Sequence, residues 1–169
     1  MKLTRRQLFK VGVGTLVSSP FAYMTAVTLG TYPQRTGLKI LSSKEAVIVE
    51  AIGETLLPSE SQLNLQIYDV ELAAGVDKLM SVMPSHNQTR IKMLLWATEH
   101  VLPLRHLYFS KFSLLKREQR AKVLASLEDS KSPSLRMFLR GLKGIIGSVY
   151  FAHPKTDLAI GNFNKCYGK

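Results

Sequence analysis

Four prolines constrain this chain more than any other feature. Pro58, Pro84, Pro103 and Pro133 cut it into segments whose apolar residues recur every three or four positions. Proline removes a ladder donor and clashes with the preceding turn, so each one ends, kinks or opens a helix. Between them the spacing is helical. Ser42 and Glu45 have the form of a capping box, which satisfies free amides at a helix start. Ile48, Ala51, Ile52, Thr55 and Leu56 then fall on one face up to Pro58. The stretch "PSESQLNLQ" reads as a loop. A second stripe, Leu72, Ala73, Val76, Leu79, Met80 and Met83, stops at Pro84.

Ser85 is placed to cap a third helix, with Ile91, Leu94, Leu95 and Val101 inward and Pro103 as its kink or end. A fourth helix is expected from about Ser113, burying Leu115, Val123, Leu124 and Leu127. The fifth opens at Ser132-Pro133, a cap followed by proline in the first turn. It is expected to run to about Tyr150 on Phe138, Leu142, Ile145, Ile146 and Val149. Neither alternating strand pairs with hairpin turns nor an internal repeat is visible in the sequence. The expectation is an all-α domain of about five helices over residues 42–169 with an extended C-terminal tail. Residues 31–41 read as a linker behind an N-terminal segment, 1–30.

That N-terminal segment is an address. Lys2, Arg5, Arg6 and Lys10 precede an uncharged run from Val11 to Leu29, the order of a secretory signal. Thr4-Arg5-Arg6-Gln7-Leu8-Phe9-Lys10 resembles the twin-arginine (Tat) export motif, with Arg5, Arg6, Phe9 and Lys10 at its defining positions. Such a signal is read by the Tat translocase, so the expected location is the periplasm. No Ala-x-Ala cleavage site follows, and the uncharged run is long enough to span a bilayer. Removal of the leader and its retention as an inner-membrane anchor both stay open.

Charge is uneven behind the leader. Residues 31–77 hold three basic residues against seven acids, whereas 78–169 hold sixteen against five. A basic half suits nucleic acid, anionic lipid or an acidic protein. Export and the lack of a basic-aromatic reading motif argue against nucleic acid. Much of the charge lies in "KREQRAKVL", either the solvated face of a helix or a docking surface through Lys116, Arg117 and Arg120. Gly141, Gly144 and Gly147 leave a narrow strip without side chains along the fifth helix. Another backbone can approach there, from this domain or from another subunit. The single cysteine, Cys166, excludes an internal disulfide and an iron–sulfur cluster held by this chain alone.

Chemistry is sparse in the sequence. His86, His100, His106 and His153 do not cluster with cysteines or carboxylates at metal-ligand spacing. Neither a Gly-x-Ser-x-Gly elbow nor a phosphate-cradling loop is present. No catalytic, metal or cofactor residue is expected in this chain. An enzyme assembled from scattered residues such as Glu99, His100 and His106 is the weakest alternative.

Four stretches taken in order resemble a known family. They are "LSSKEAVIVEAIGETLLPSE", "AAGVDKLM", "FSLLKREQRAKVLASL" and "YFAHPKTDLAIGNFNKC", covering about residues 41–166. Together they are similar to the small subunit (subunit 3) family of gluconate 2-dehydrogenase and related sugar or alcohol dehydrogenases, in which a twin-arginine leader is usual. Members often end in Gly-Tyr-x-Gly-Pro-Cys, whereas here Asn162-Phe163-Asn164-Lys165-Cys166 follows Gly161. The resemblance implies a noncatalytic accessory subunit without a cofactor of its own. Its partners would be a large GMC-type flavoprotein holding FAD and often a haem-bearing cytochrome c subunit. Lys116, Arg117, Arg120, the glycine strip, Tyr150 and Cys166 are the contacts expected to serve such a partner. Cys166 is also the residue available for an intersubunit disulfide. The alternative is a stand-alone exported or membrane-anchored protein that binds an envelope component through its basic half.

Overall fold

The computed structural model of the chain describes residues 32–57, 71–154 and 156. Arg5, Arg6, Phe9, Lys10 and Cys166, and with them the expected leader and tail, lie outside the described residues.

Helix α1, Ser43–Leu56, starts as the sequence requires. The Ser42 hydroxyl accepts from the Glu45 amide, and Glu45 Oε2 accepts from the Ser42 amide at 2.7 Å. The helix ends two residues before Pro58, with the Leu57 amide donating to the Gly53 carbonyl. One apolar face was expected, yet Ala46, Val49 and Gly53 are buried as well as Ile48, Ala51 and Ile52. Their positions run around most of the helix, because α1 is the central element. It packs against every other helix of the described fold.

Helix α2, Leu72–Ser81, buries Leu72, Ala73, Val76 and Met80. Met83 lies beyond the helix but still packs on the core. Helix α3, Ser85–Arg105, has Pro84 at its cap and Ser85 inside its first turn, so Ser85 is not the cap. The adjoining polar groups are met by Gln88, whose side-chain amide donates to the carbonyls of Met80 and Met83. Ile91 and Leu95 face inward as expected, but Val101 is 41% exposed. At 100° per residue Val101 lies well away from the line through Ile91, Leu95 and Leu102.

Pro103 neither breaks nor ends α3 at its own position. The helix runs two residues further, then closes with Tyr108 N–H to the Pro103 carbonyl and Leu107 N–H to the Leu104 carbonyl, both 3.0 Å. This pair of bonds is a Schellman motif, with Leu107 (φ 57°) in the left-handed position where glycine is usual. The expected fourth helix begins later than Ser113. A 3-10 turn, Phe112–Leu114, comes first, then α4 over Arg117–Glu128, burying Val123, Leu124 and Leu127. Helix α5, Pro133–Phe151, has proline in its first turn and buries Leu139, Leu142, Ile146 and Tyr150. Among the described residues the fold is all-α, with five α-helices and the single 3-10 turn.

Residues 32–41 contain no helix or strand, but they are fastened to the helices at several points. Asp77 on α2 is 5% exposed and accepts from three consecutive amides, Lys39, Ile40 and Leu41, at 2.9, 2.8 and 2.7 Å. Burial alone would raise its pKa. The three amide bonds and the Lys39 charge outweigh that and hold the carboxyl below 3.8. From the other side Lys92 Nζ donates to the Ile40 carbonyl at 2.7 Å. Leu41 is thereby set into the core.

Candidate functional site

The densest polar cluster forms where Tyr32, the first residue of the helical unit, meets α3. Glu99 sits one turn beyond Leu95 on α3 and is fully buried. Its carboxylate accepts from the Tyr32 hydroxyl at 2.9 Å, the Ser113 hydroxyl at 2.6 Å and the Ser113 amide at 3.0 Å. Tyr32 is thus bound to a buried anion. Burial first, then the Glu99 charge and hydrogen bond, push its phenol well above the usual tyrosine range.

Two cations complete the cluster. Lys111 Nζ lies 4.4 Å from the Tyr32 ring centroid, and Lys44 Nζ lies 5.7 Å from it. Both distances fall within cation–π reach. Burial lowers the Lys111 pKa, with Glu99 opposing and Lys44 adding to the fall. Lys44 also reaches His100 Nε2 at 2.9 Å. An ammonium only donates, so Nε2 must be the accepting nitrogen of a neutral ring. Burial, Lys44 and Lys111 all lower the His100 pKa, and Glu99 opposes them. Trp96 adjoins the cluster, its ring centroid 5.6 Å from that of His100.

Both Glu99 oxygens are engaged and Tyr32 is held protonated. The arrangement fastens residue 32 to α3 and the 3-10 turn. Glu99 and His100 are brought together here. His106 is elsewhere, with Nε2 2.8 Å from Ser126 Oγ. The Ser126 proton goes to the Val123 carbonyl, so His106 is the donor in that pair. Among the described residues there is no group of three or more His, Cys, Asp or Glu placed to hold a metal ion.

The residues expected to meet a partner divide into two sets. Arg120 is turned inward and 8% exposed, donating to the Ala51 carbonyl at 3.1 Å and to Glu54 Oε2 at 2.8 Å. Arg117 reaches the Leu57 carbonyl at 3.5 Å. These two cations stand toward the C-terminal end of α1, where the helix dipole favours positive charge, and the Ala51 carbonyl also accepts from the Thr55 hydroxyl at 2.8 Å. Helix α1 has no basic residue of its own in its last turn. Tyr150 is likewise internal, 1% exposed, and burial raises its pKa.

Lys116 and Gly144 remain at the surface. A Cβ added at Gly144 would meet nothing within 4 Å among the described residues, one at Gly141 only Leu94, and one at Gly147 only Phe151 of its own helix. The close helix approach expected of a glycine occurs instead at Gly75 on α2, where a Cβ would overlap Val149 Cγ1. A shallow groove of about 480 Å³ adjoins that crossing, lined by Lys78, Leu79, Val82, Val149 and His153. A second cleft of about 490 Å³ lies beside the Arg35–Glu50 ion pair.

Asp77 and Lys111 were not singled out from the sequence. Only their neighbours carried a signal, Asp77 as a lone acid within the apolar stripe of α2 and Lys111 next to the apolar Phe112. Comparison with protein-family models, curated proteins and solved structures finds no match to this chain.

Proposed function

We propose that this chain is a noncatalytic accessory subunit that binds a folded flavin-dependent dehydrogenase of the GMC class in the cytoplasm and carries it through the Tat translocase. The observation that supports this most is the leader. Thr4-Arg5-Arg6-Gln7-Leu8-Phe9-Lys10 is joined to a small helical domain whose sequence resembles the subunit 3 family. The Tat route accepts folded cargo, so a leader on one subunit serves a complex. The fastening of Tyr32 to Glu99, which also accepts from Ser113, suits that role. It ties the residue just behind the leader to the folded domain, so that pull on the leader is transmitted to the fold.

In this reading FAD and any haem belong to the partner subunits. The surface available to them includes Lys116 and the open strip at Gly141 and Gly144, whereas Arg120 and Tyr150 support the fold from inside. The substrate class is a sugar or alcohol. The test is export of the pair. With Arg5→Lys and Arg6→Lys together, both this chain and a copurifying flavoprotein are expected to stay in the cytoplasm. A tagged protein taken from gently solubilised envelopes should bring a larger, yellow partner in stoichiometric amount. A colourless monomer, or a flavoprotein still exported without the arginine pair, would remove the escort role and leave the stand-alone envelope protein.

A further inference from the structure

Helix α3 has two apolar sides. Ile91, Leu95 and Leu102 pack inward. Met93, Trp96, Ala97, Val101 and Leu104 repeat at helical spacing along the other side. Met93 is 63% exposed, Trp96 52%, and Val101 and Leu104 41% each. Single exposed apolar residues are ordinary, but a series in register on one face marks an interaction surface. Leu107 extends it, 75% exposed and in the left-handed conformation. Neither local backbone preference nor core packing calls for leucine there, and an unfavoured residue held at a special position points to a function.

Charge narrows what covers the face. From Lys78 to Arg117 the sequence has seven basic residues and one acid, Glu99, which is buried. The exposed side of α3 therefore carries no carboxylate, and Arg90 and Arg105 are exposed toward its two ends. Lys44, half-buried, adds positive charge beside Tyr32 and His100. Apolar and aromatic residues on a helix flanked by exposed arginines suit the headgroup boundary of an anionic bilayer. The path of the chain agrees. Tyr32 is held on α3 through Glu99, and the uncharged run Val11 to Leu29 lies immediately ahead of it in sequence.

We infer that the outer face of α3 rests on a membrane surface rich in anionic lipid, with Met93, Trp96, Val101, Leu104 and Leu107 in the headgroup–acyl boundary and Arg90 and Arg105 on lipid phosphates. The helix lies on the bilayer. Among the described residues no helix is long and apolar enough to cross one. This surface holds whether the chain works alone or beside a flavoprotein.

Trp96 is the only tryptophan, so its fluorescence reports this face and nothing else. Full-length protein is mixed with phosphatidylglycerol-containing vesicles, with purely zwitterionic vesicles, and with vesicles carrying bromine high on the acyl chain. Trp96 emission is expected to shift blue on the anionic vesicles, to be quenched by the shallow bromines, and to respond less in high salt. Leu104→Asp should weaken the vesicle-dependent shift by about tenfold or more and Leu104→Ser by less, whereas Met137→Asp, at a 72%-exposed position on α5, should leave it unchanged. Circular dichroism of each variant checks that the fold is retained. Three outcomes overturn the proposal. Protein that floats with vesicles while Trp96 emission stays constant is held by its leader alone. A dimer whose emission is already blue-shifted without lipid has this face covered by a second copy. A shift seen only with a copurified larger protein assigns the face to that protein.

Discussion

Asp77→Asn is the perturbation with the clearest expected magnitude. The carboxylate sits within α2 and gathers the amides of Lys39, Ile40 and Leu41. Asparagine keeps the volume and one carbonyl oxygen. Oδ1 accepts from Ile40 and Leu41, so the asparagine oxygen can keep those two bonds in neutral form. Loss of charge assistance weakens each by about 1 kcal/mol. The other position becomes an NH2 group facing the Lys39 N–H, which removes one bond and leaves two donors opposed, costing about 1–2 kcal/mol. Lys39 is exposed and its amide can recruit water, so the total expected is about 2–4 kcal/mol.

The pH dependence gives a second, independent readout. The folded pKa of Asp77 lies below 3.8, so its stabilisation is complete above that value and is lost as pH falls through the folded pKa. Urea unfolding followed by Trp96 emission and circular dichroism should show the variant less stable near neutral pH. The two stability curves should converge as pH falls through the folded pKa of Asp77. Other carboxylates titrate in both proteins and cancel in the difference. Hydrogen exchange at residues 39–41 should accelerate in the variant. A difference under about 0.5 kcal/mol at neutral pH, or one that persists undiminished in acid, would refute the assignment of Asp77 as the clamp on this segment.

Three further predictions address particular residues. Gly75→Ala should destabilise by about 1–3 kcal/mol despite its better helix propensity, because Val149 is β-branched and has little rotamer freedom in a helix, and adding Val149→Ala should restore part of the loss. Gly144→Ala, in open space, should instead stabilise by about 0.8–1 kcal/mol in thermal melts, and a simultaneous loss of flavoprotein copurification would place the partner on this strip. Arg120→Ala should cost about 2–4 kcal/mol by removing the buried guanidinium that bridges the Ala51 carbonyl and Glu54, whereas Lys116→Ala and Lys122→Ala should stay within about 0.5 kcal/mol in denaturant titrations. Leu107→Gly should raise stability by about 1 kcal/mol by relieving the left-handed position of the Schellman motif, and a loss of stability there would show that the leucine side chain packs in the fold.

The sequence by itself determined the helices and where they begin and end. Prolines, the Ser42–Glu45 box and apolar spacing are local signals that act within one or two turns, and they survived into the structure with small shifts. The start of α4 moved because Phe112–Leu114 forms a 3-10 turn against Glu99, a long-range contact. Apolar spacing also marked many of the inward residues, Leu95, Val123, Leu127 and Leu142 among them, but only the tertiary structure decided how much of each helix is covered. Helix α1 is buried on most sides because four other helices surround it, and α3 exposes a second apolar side because few elements cover it. Burial also reversed the reading of charge. Arg120 belongs to a run that reads as a solvated face, yet the carbonyl end of α1 draws it in. Asp77 and Glu99 look like isolated acids until the fold brings three backbone amides to one and Tyr32 with Ser113 to the other. Those partners are 14 to 67 residues away along the chain, beyond the reach of any periodicity.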